Sequence, residues 1–113
     1  MNNFKFDYDS KYDDLFVYTN EKSDGSIEIG EFVFDFTNEG KLVAFQIQNA
    51  SKNIKKISDN HSLDLSELTE CMVDINKIKD FLVLKLTFVI KDIKVSSNLI
   101  IPSIKEKNPS LVY

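Results

Sequence analysis

The sequence is poor in several residue types that define common classes of protein. Of its 113 residues none is Arg or Trp, and it has one Cys, two Pro and three Gly. A single Cys excludes an intramolecular disulfide framework and a zinc site built from several thiolates. Scarce Gly and Pro exclude collagen-like and low-complexity chains. Because about a third of the residues are Leu, Ile, Val or Phe, we expect a single folded domain over residues 1–113.

Long hydrophobic runs are also absent. The most apolar stretch, from Phe81 to Ile90, is interrupted by Lys85 and is far shorter than the ~20 residues that span a membrane. The first residues lack the apolar centre of a signal peptide. A lone Cys is typical of proteins in a reducing compartment. These features predict a soluble, cytoplasmic protein with no membrane partner.

The charge is unevenly distributed along the chain. The formal net charge is −4, yet residues 1–49 contain four Lys and ten acids, whereas residues 50–113 contain ten Lys and eight acids. Arg is the side chain that holds phosphate through paired hydrogen bonds. Its absence predicts no nucleic-acid binding, although Lys52, Lys55 and Lys56 form a small basic cluster. The acidic N-terminal half is typical of a solvated surface, and the alternative is that it attracts a basic protein partner.

Apolar residues alternate with polar ones through most of the chain, which predicts strands. The predicted strands cover residues 4–8, 15–18, 27–36, 42–47, 71–75, 82–90 and 93–101, with a bulge or kink at Gly30 and a left-handed Gly40 in a hairpin loop. They give an α+β fold with a mostly antiparallel sheet of about six or seven strands. One or two short helices follow the fourth strand.

The helical signal begins at residue 50. Ala50, Ile54 and Ile57 form an apolar stripe that Asn49 or Ser51 can cap. Ser62 or Asp64 is the expected cap of a second short helix. Because so little helix is available to cover the apolar sheet faces, we predict a homodimer. The apolar tail Leu111–Tyr113 would need a surface on which to dock.

The N-terminal half resembles a known family. The segments Tyr8-Asp9-Ser10-Lys11-Tyr12-Asp13-Asp14-Leu15-Phe16-Val17, Ile27–Phe36 and Asn38–Ser51 are similar to the opening pattern, middle strand and final hairpin of the domain-of-unknown-function family numbered 2283. The resemblance covers residues 6–52, and residues 53–113 look like a helix and β-meander extension. It implies a small β-rich domain with no agreed activity. Because members can be encoded beside toxin-like proteins, it also implies an antitoxin-like role.

Candidate metal ligands lie where carboxylates are densest. Asp7, Asp9, Asp13 and Asp14 fall within eight residues, and hard cations such as Ca²⁺ bind several oxygen atoms on a turn. Lys11 lies among these acids and opposes a bound cation, so we predict that they close the turn by accepting hydrogen bonds from backbone N–H groups and that no metal site is present. The alternative is a metal site, for which Asp9, Asp13 and Asp14 are the candidate ligands.

Residues 20–31 share part of the spacing of a helix–loop–helix calcium site. Lys22 occupies the third ligand position of that loop, where an acid or amide belongs. The flanking segments are predicted strands, whereas the motif needs helices. The pattern is therefore not interpreted as a calcium site.

No set of residues suggests catalysis or cofactor binding. His61 lies in a polar break, and Cys71 shares a strand face with Val73 and Ile75, which predicts a buried thiol. Aromatic residues in the N-terminal strands alternate with acids, which favours core packing over base stacking. The sequence therefore predicts a non-enzymatic protein-interaction module that needs no cofactor and binds its partner through the acidic N-terminal half or an exposed sheet edge. The alternative is a small metal- or ligand-binding domain or enzyme that uses acidic residues.

Overall fold

A computed structural model describes residues 2–57 and 63–102, which form eight strands and one α-helix. The elements are β1 (Asn2–Asp9), β2 (Asp14–Tyr18), β3 (Gly25–Ile29), β4 (Phe32–Phe36), β5 (Leu42–Ile47), α1 (Ala50–Ile57), β6 (Leu68–Ile78), β7 (Phe81–Ile90) and β8 (Ile93–Pro102). The predicted α+β fold with an antiparallel sheet is confirmed. The predicted count of six or seven strands is wrong, and the helix follows the fifth strand.

The strands form one sheet in the order β3-β4-β5-β2-β1-β6-β7-β8. Strand β1 joins its two halves, since residues 5–9 pair with β2 and residues 2–4 pair with β6. This change of partner along one strand accompanies the curling of the sheet into a half-barrel. As a result the N-terminal and C-terminal halves share one inner face, and β3 and β8 are the edge strands.

The extra strand arises at Gly30. Residues Gly30 and Glu31 form a two-residue connection between β3 and β4, with Ile29 paired to Phe32. Gly30 has a φ of 59°, and Gly in the first position is characteristic of the tight turns whose twist matches paired strands. The chain therefore reverses direction where a bulge was predicted. At Gly40 the predicted left-handed conformation is present, with a φ of 84°.

The inner face of the sheet carries the core. Period-2 alternation in β7 buries Leu84, Leu86 and Phe88 completely, as the sequence pattern predicts. Helix α1 lies over this face and contributes Ala50 and Ile54 to the same cluster. Burial of such aliphatic and aromatic side chains stabilises the fold by about 1.5–3 kcal/mol for each residue.

The predicted second helix is a single 3₁₀ turn, Leu65–Glu67. The Asp64 side chain accepts a hydrogen bond from the Ser66 N–H at 3.0 Å, so Asp64 is the cap, as one of the two alternatives proposed. The other alternative, Ser62, lies outside the described residues. The tail Leu111–Tyr113 and its predicted need for a docking surface also lie outside them.

Candidate functional site

The outer face of the N-terminal half concentrates acidic and aromatic side chains. Because successive side chains of a strand point to opposite faces, burying the apolar residues of β1 to β5 turns the intervening residues outwards. The outward residues include five acids, namely Asp7, Asp9, Asp14, Glu28 and Asp35. Two aromatic residues of β2, Phe16 and Tyr18, lie among them. Half of the ten acids of residues 1–49 therefore lie on one surface, which also carries Lys5.

A cleft opens at the centre of this surface. The strand register places Tyr18 beside Ala44, and Ala44 beside Asp35. Since neighbouring strands lie about 4.8 Å apart, the small Ala44 side chain leaves a gap between the tyrosine and the carboxylate. Here the outer surface has a cavity of about 460 Å³. We call it the acidic–aromatic cleft; its outward lining residues are Asp7, Phe16, Tyr18, Val33, Asp35, Ala44 and Gln46.

The two acids of the cleft have different environments. The Tyr18 hydroxyl donates a hydrogen bond to Asp7 at 3.1 Å, and this bond raises the pKa of Tyr18. Asp35 is half-buried, and loss of hydration raises the pKa of its carboxyl above the ordinary value. Within residues 2–57 and 63–102, the Asp35 carboxylate has no hydrogen-bond or ion-pair partner. The cleft thus presents a poorly hydrated carboxylate on one side of Ala44 and two aromatic rings of β2 on the other.

The predicted metal candidates do not form a metal site in the described structure. Asp9 closes a turn by accepting hydrogen bonds from the N–H groups of Lys11 at 2.9 Å and Tyr12 at 3.3 Å. Asp14 pairs with Asp9 at the end of the β1–β2 ladder. Asp13 turns towards helix α1 instead. No group of three or more His, Cys, Asp or Glu side chains able to hold a metal occurs among the described residues.

Asp13 fixes the start of helix α1. Its carboxylate accepts hydrogen bonds from the Tyr8 hydroxyl at 2.6 Å, from the Ser51 hydroxyl at 2.6 Å and from the Ser51 N–H at 3.1 Å. Its backbone carbonyl also accepts from the Ala50 N–H at 2.8 Å. Burial favours the neutral acid, but the three hydrogen bonds outweigh it, so the pKa of Asp13 is lowered. Burial and the bond to Asp13 raise the pKa of Tyr8 to about 12.

A second carboxylate, Glu31, binds the same end of the helix. It accepts hydrogen bonds from the side-chain amides of Asn49 and Asn53 and forms an ion pair with Lys52 at 3.2 Å. These bonds, led by that of Asn49, lower the pKa of Glu31. The sequence had suggested Asn49 or Ser51 as the side-chain cap. This prediction is wrong, because the Asn49 side chain donates to Glu31 and the Ser51 hydroxyl and N–H donate to Asp13, which provides the cap.

The sequence also drew attention to Cys71, His61 and the calcium-like pattern of residues 20–31 as possible functional features. Cys71 is 1% exposed, and burial raises the pKa of its thiol to about 12, which makes it an unreactive core residue. His61 lies outside the described residues. Asp24, in the rejected calcium pattern, accepts a hydrogen bond from the Asn38 N–H at 2.8 Å and so closes a loop.

The cleft is not evident from the sequence alone, because the role of Ala44 depends on which strands flank it. The only signal in the sequence was a small residue at an outward position between larger ones. Such a signal has meaning only once β2 and β4 are known to be its neighbours.

Comparison of the chain with protein-family models, curated proteins and solved structures found no match. The family resemblance of residues 6–52 therefore stays a prediction. Within the described ranges, no helix is both long and apolar enough to cross a membrane.

Proposed function

We propose that the protein is a non-enzymatic binding module that holds a Lys or Arg side chain of a basic protein partner in the acidic–aromatic cleft. The observation that carries this proposal is the environment of Asp35. Its half-buried carboxylate has no partner in the described chain and lies across Ala44 from the Tyr18 ring.

The chemistry of the cleft favours a cation on a long side chain. A poorly hydrated carboxylate gains more from an ammonium or guanidinium group than an exposed one does, because the local dielectric is lower. Aromatic rings attract the same groups through their electron-rich faces. Phe16, which is 40% exposed, and Tyr18 supply such rings. The apolar stem of Lys or Arg can pack on them while its charged end reaches Asp35.

The surrounding charge supports a protein partner rather than a nucleic acid. The acids on the outer face of β1 to β4 surround the cleft and repel polyanions. They also accelerate the approach of a positively charged segment, an effect that weakens as salt screens the field. The antitoxin-like role implied by the family resemblance is one form of this proposal, in which the basic partner is a toxin.

The test measures binding of a blocked peptide containing Lys and Arg, with an equivalent Glu peptide as the negative control. We expect Asp35→Asn to weaken binding by about tenfold, since a hydrogen bond to a charged group contributes about 1.5 kcal/mol. Ala44→Leu fills the gap without changing the charge and should weaken binding as well. Nuclear magnetic resonance gives a second measurement, because the bound cation should lower the raised pKa of Asp35.

Glu28→Gln is the matched control. It removes one negative charge from the same outer face, but Glu28 is exposed and does not line the cleft. It should therefore change binding only slightly, through the long-range field. Equal weakening by Glu28→Gln and Asp35→Asn, or binding that Ala44→Leu leaves unchanged, would contradict the proposal.

A further inference from the structure

The edge strand β8 has few of the features that usually prevent edge-to-edge association. It has ten residues, Ile93–Pro102, of which Lys94 is the only charged one, and a Pro occurs only at its last position. The other edge strand, β3, has five residues, Gly25–Ile29, and carries Glu28. Long edges with few charges are templates for pairing with another strand, because their outward N–H and C=O groups have no partner within the sheet.

The sequence of β8 is also self-complementary. Around Ser97 the polarity of the residues is nearly symmetric. Ser96 matches Asn98, Val95 matches Leu99 and Ile93 matches Ile101, and only Lys94 and Ile100 differ. Contacts between identical copies related by a two-fold axis place one surface against itself. A symmetric pattern of this kind is therefore suited to pairing with its own copy.

We propose that β8 pairs antiparallel with β8 of a second copy, with the two-fold axis at Ser97. Directly opposite residues in a ladder share a face of the sheet. In this register Val95 meets Leu99 of the partner, and Ile93 meets Ile101, so the apolar inner faces of the two copies become continuous. Ile93 is 43% exposed in the single chain and becomes covered in the dimer.

The charge distribution is compatible with this dimer. The strand order places β8 at the edge opposite to β3 and β4, so the acidic halves of the two copies point away from each other. Pairing through β3 would instead bring two acidic surfaces together, at a cost that rises as salt is lowered. The acidic–aromatic cleft remains accessible in the β8 dimer, and neither proposal depends on the other.

Position 100 provides a charge test, because Ile100 lies directly opposite Lys94 of the partner in the proposed register. Ile100 is 68% exposed in the single chain, so either charge there should be tolerated by the fold. Ile100→Lys creates two like-charge pairs and should raise the dimer Kd by about tenfold. Ile100→Glu creates two opposite-charge pairs and should bind more tightly than Ile100→Lys. Sedimentation velocity over a range of concentrations measures both constants.

Ile29→Lys, on the opposite edge strand, is the control for adding a surface Lys and should leave the dimer Kd unchanged. Circular dichroism checks that each variant is folded. A wild-type chain that stays monomeric at all concentrations would overturn the proposal. So would a dimer with the same Kd for Ile100→Lys and Ile100→Glu, because its contact would not involve this register.

A cysteine at the axis gives an independent test. Directly opposite residues have Cα atoms about 4.5–5.5 Å apart, within the range that a disulfide can bridge. Ser97→Cys should therefore form a covalent dimer under mild oxidation, whereas Ser26→Cys on β3 should not. The native Cys71 is buried and does not interfere. Cross-linking of Ser26→Cys but not Ser97→Cys would place the contact at the wrong edge.

Discussion

Replacing Asp13 tests whether the N-terminal hairpin and helix α1 are held together by one carboxylate. The Asp13 carboxylate accepts hydrogen bonds from the Tyr8 hydroxyl, the Ser51 hydroxyl and the Ser51 N–H. Tyr8 and Ser51 are separated by 43 positions in the sequence. It also has a φ of 56°. A substitution can therefore remove the acceptor, the charge or the compatibility with a left-handed backbone, and different replacements separate these effects.

Asp13→Ala removes all three and should lower the free energy of unfolding by about 3 kcal/mol. Loss of a helix cap costs about 1 kcal/mol, and a Tyr8 hydroxyl left without its acceptor costs a similar amount. A left-handed Ala adds about 1 kcal/mol. Asp13→Asn keeps one acceptor oxygen and tolerates positive φ, so we expect a smaller loss of about 1 kcal/mol, mainly from the missing charge.

The contribution of Asp13 should depend on pH with a defined sign. Because the pKa of Asp13 is lowered on folding, its stabilising contribution is complete above the unfolded pKa near 4. It is then lost as the pH falls through the lower folded value. The difference in stability between wild type and Asp13→Asn should therefore be constant near neutral pH and shrink in acid.

Urea denaturation followed by circular dichroism measures these differences. With slopes of about 1–3 kcal/mol per molar urea, Asp13→Ala should lower the midpoint by about 1 M or more. Tyr8→Phe keeps the ring and removes one donor, so it is a control for the size of a single bond. The reasoning would be refuted if Asp13→Ala had the urea midpoint of the wild type. It would also be refuted if the difference in unfolding free energy between wild type and Asp13→Asn did not change with pH.

Two further predictions concern backbone conformation and the buried thiol. No atom lies within 4 Å of a Cβ added at Gly30, so Gly30→Ala should destabilise the protein by about 1 kcal/mol through its positive φ alone. Asp92→Gly should instead stabilise the protein, because Asp92 has a φ of 65°, which Gly adopts without strain. Urea denaturation measures both changes in stability, and two changes of the same sign would contradict this explanation. The Cys71 thiol should react with a thiol reagent only as fast as the protein opens, since burial raises its pKa to about 12 and leaves it 1% exposed. Rapid labelling of the native protein would contradict the described core.

Local patterns predicted the elements of the fold with useful accuracy. Alternation identified the core face of β7 and the buried position of Cys71, and the apolar stripe identified α1. Gly30 was misinterpreted because a single Gly in an alternating segment is compatible with either a bulge or a tight turn. The distinction depends on whether the two flanking segments pair with each other, and alternation carries no information about pairing.

The sequence by itself determined that this protein has an antiparallel sheet, a short helix after the strands of the acidic half, and an excess of acids in that half. These properties follow from side-chain periodicity and composition, which are local. Only the tertiary structure decided that Asp13 caps a helix beginning at Ala50, that Ala44 separates Tyr18 from Asp35, and that β8 is an edge. Each of these depends on strand neighbours and register, which are set by packing between segments distant in the chain.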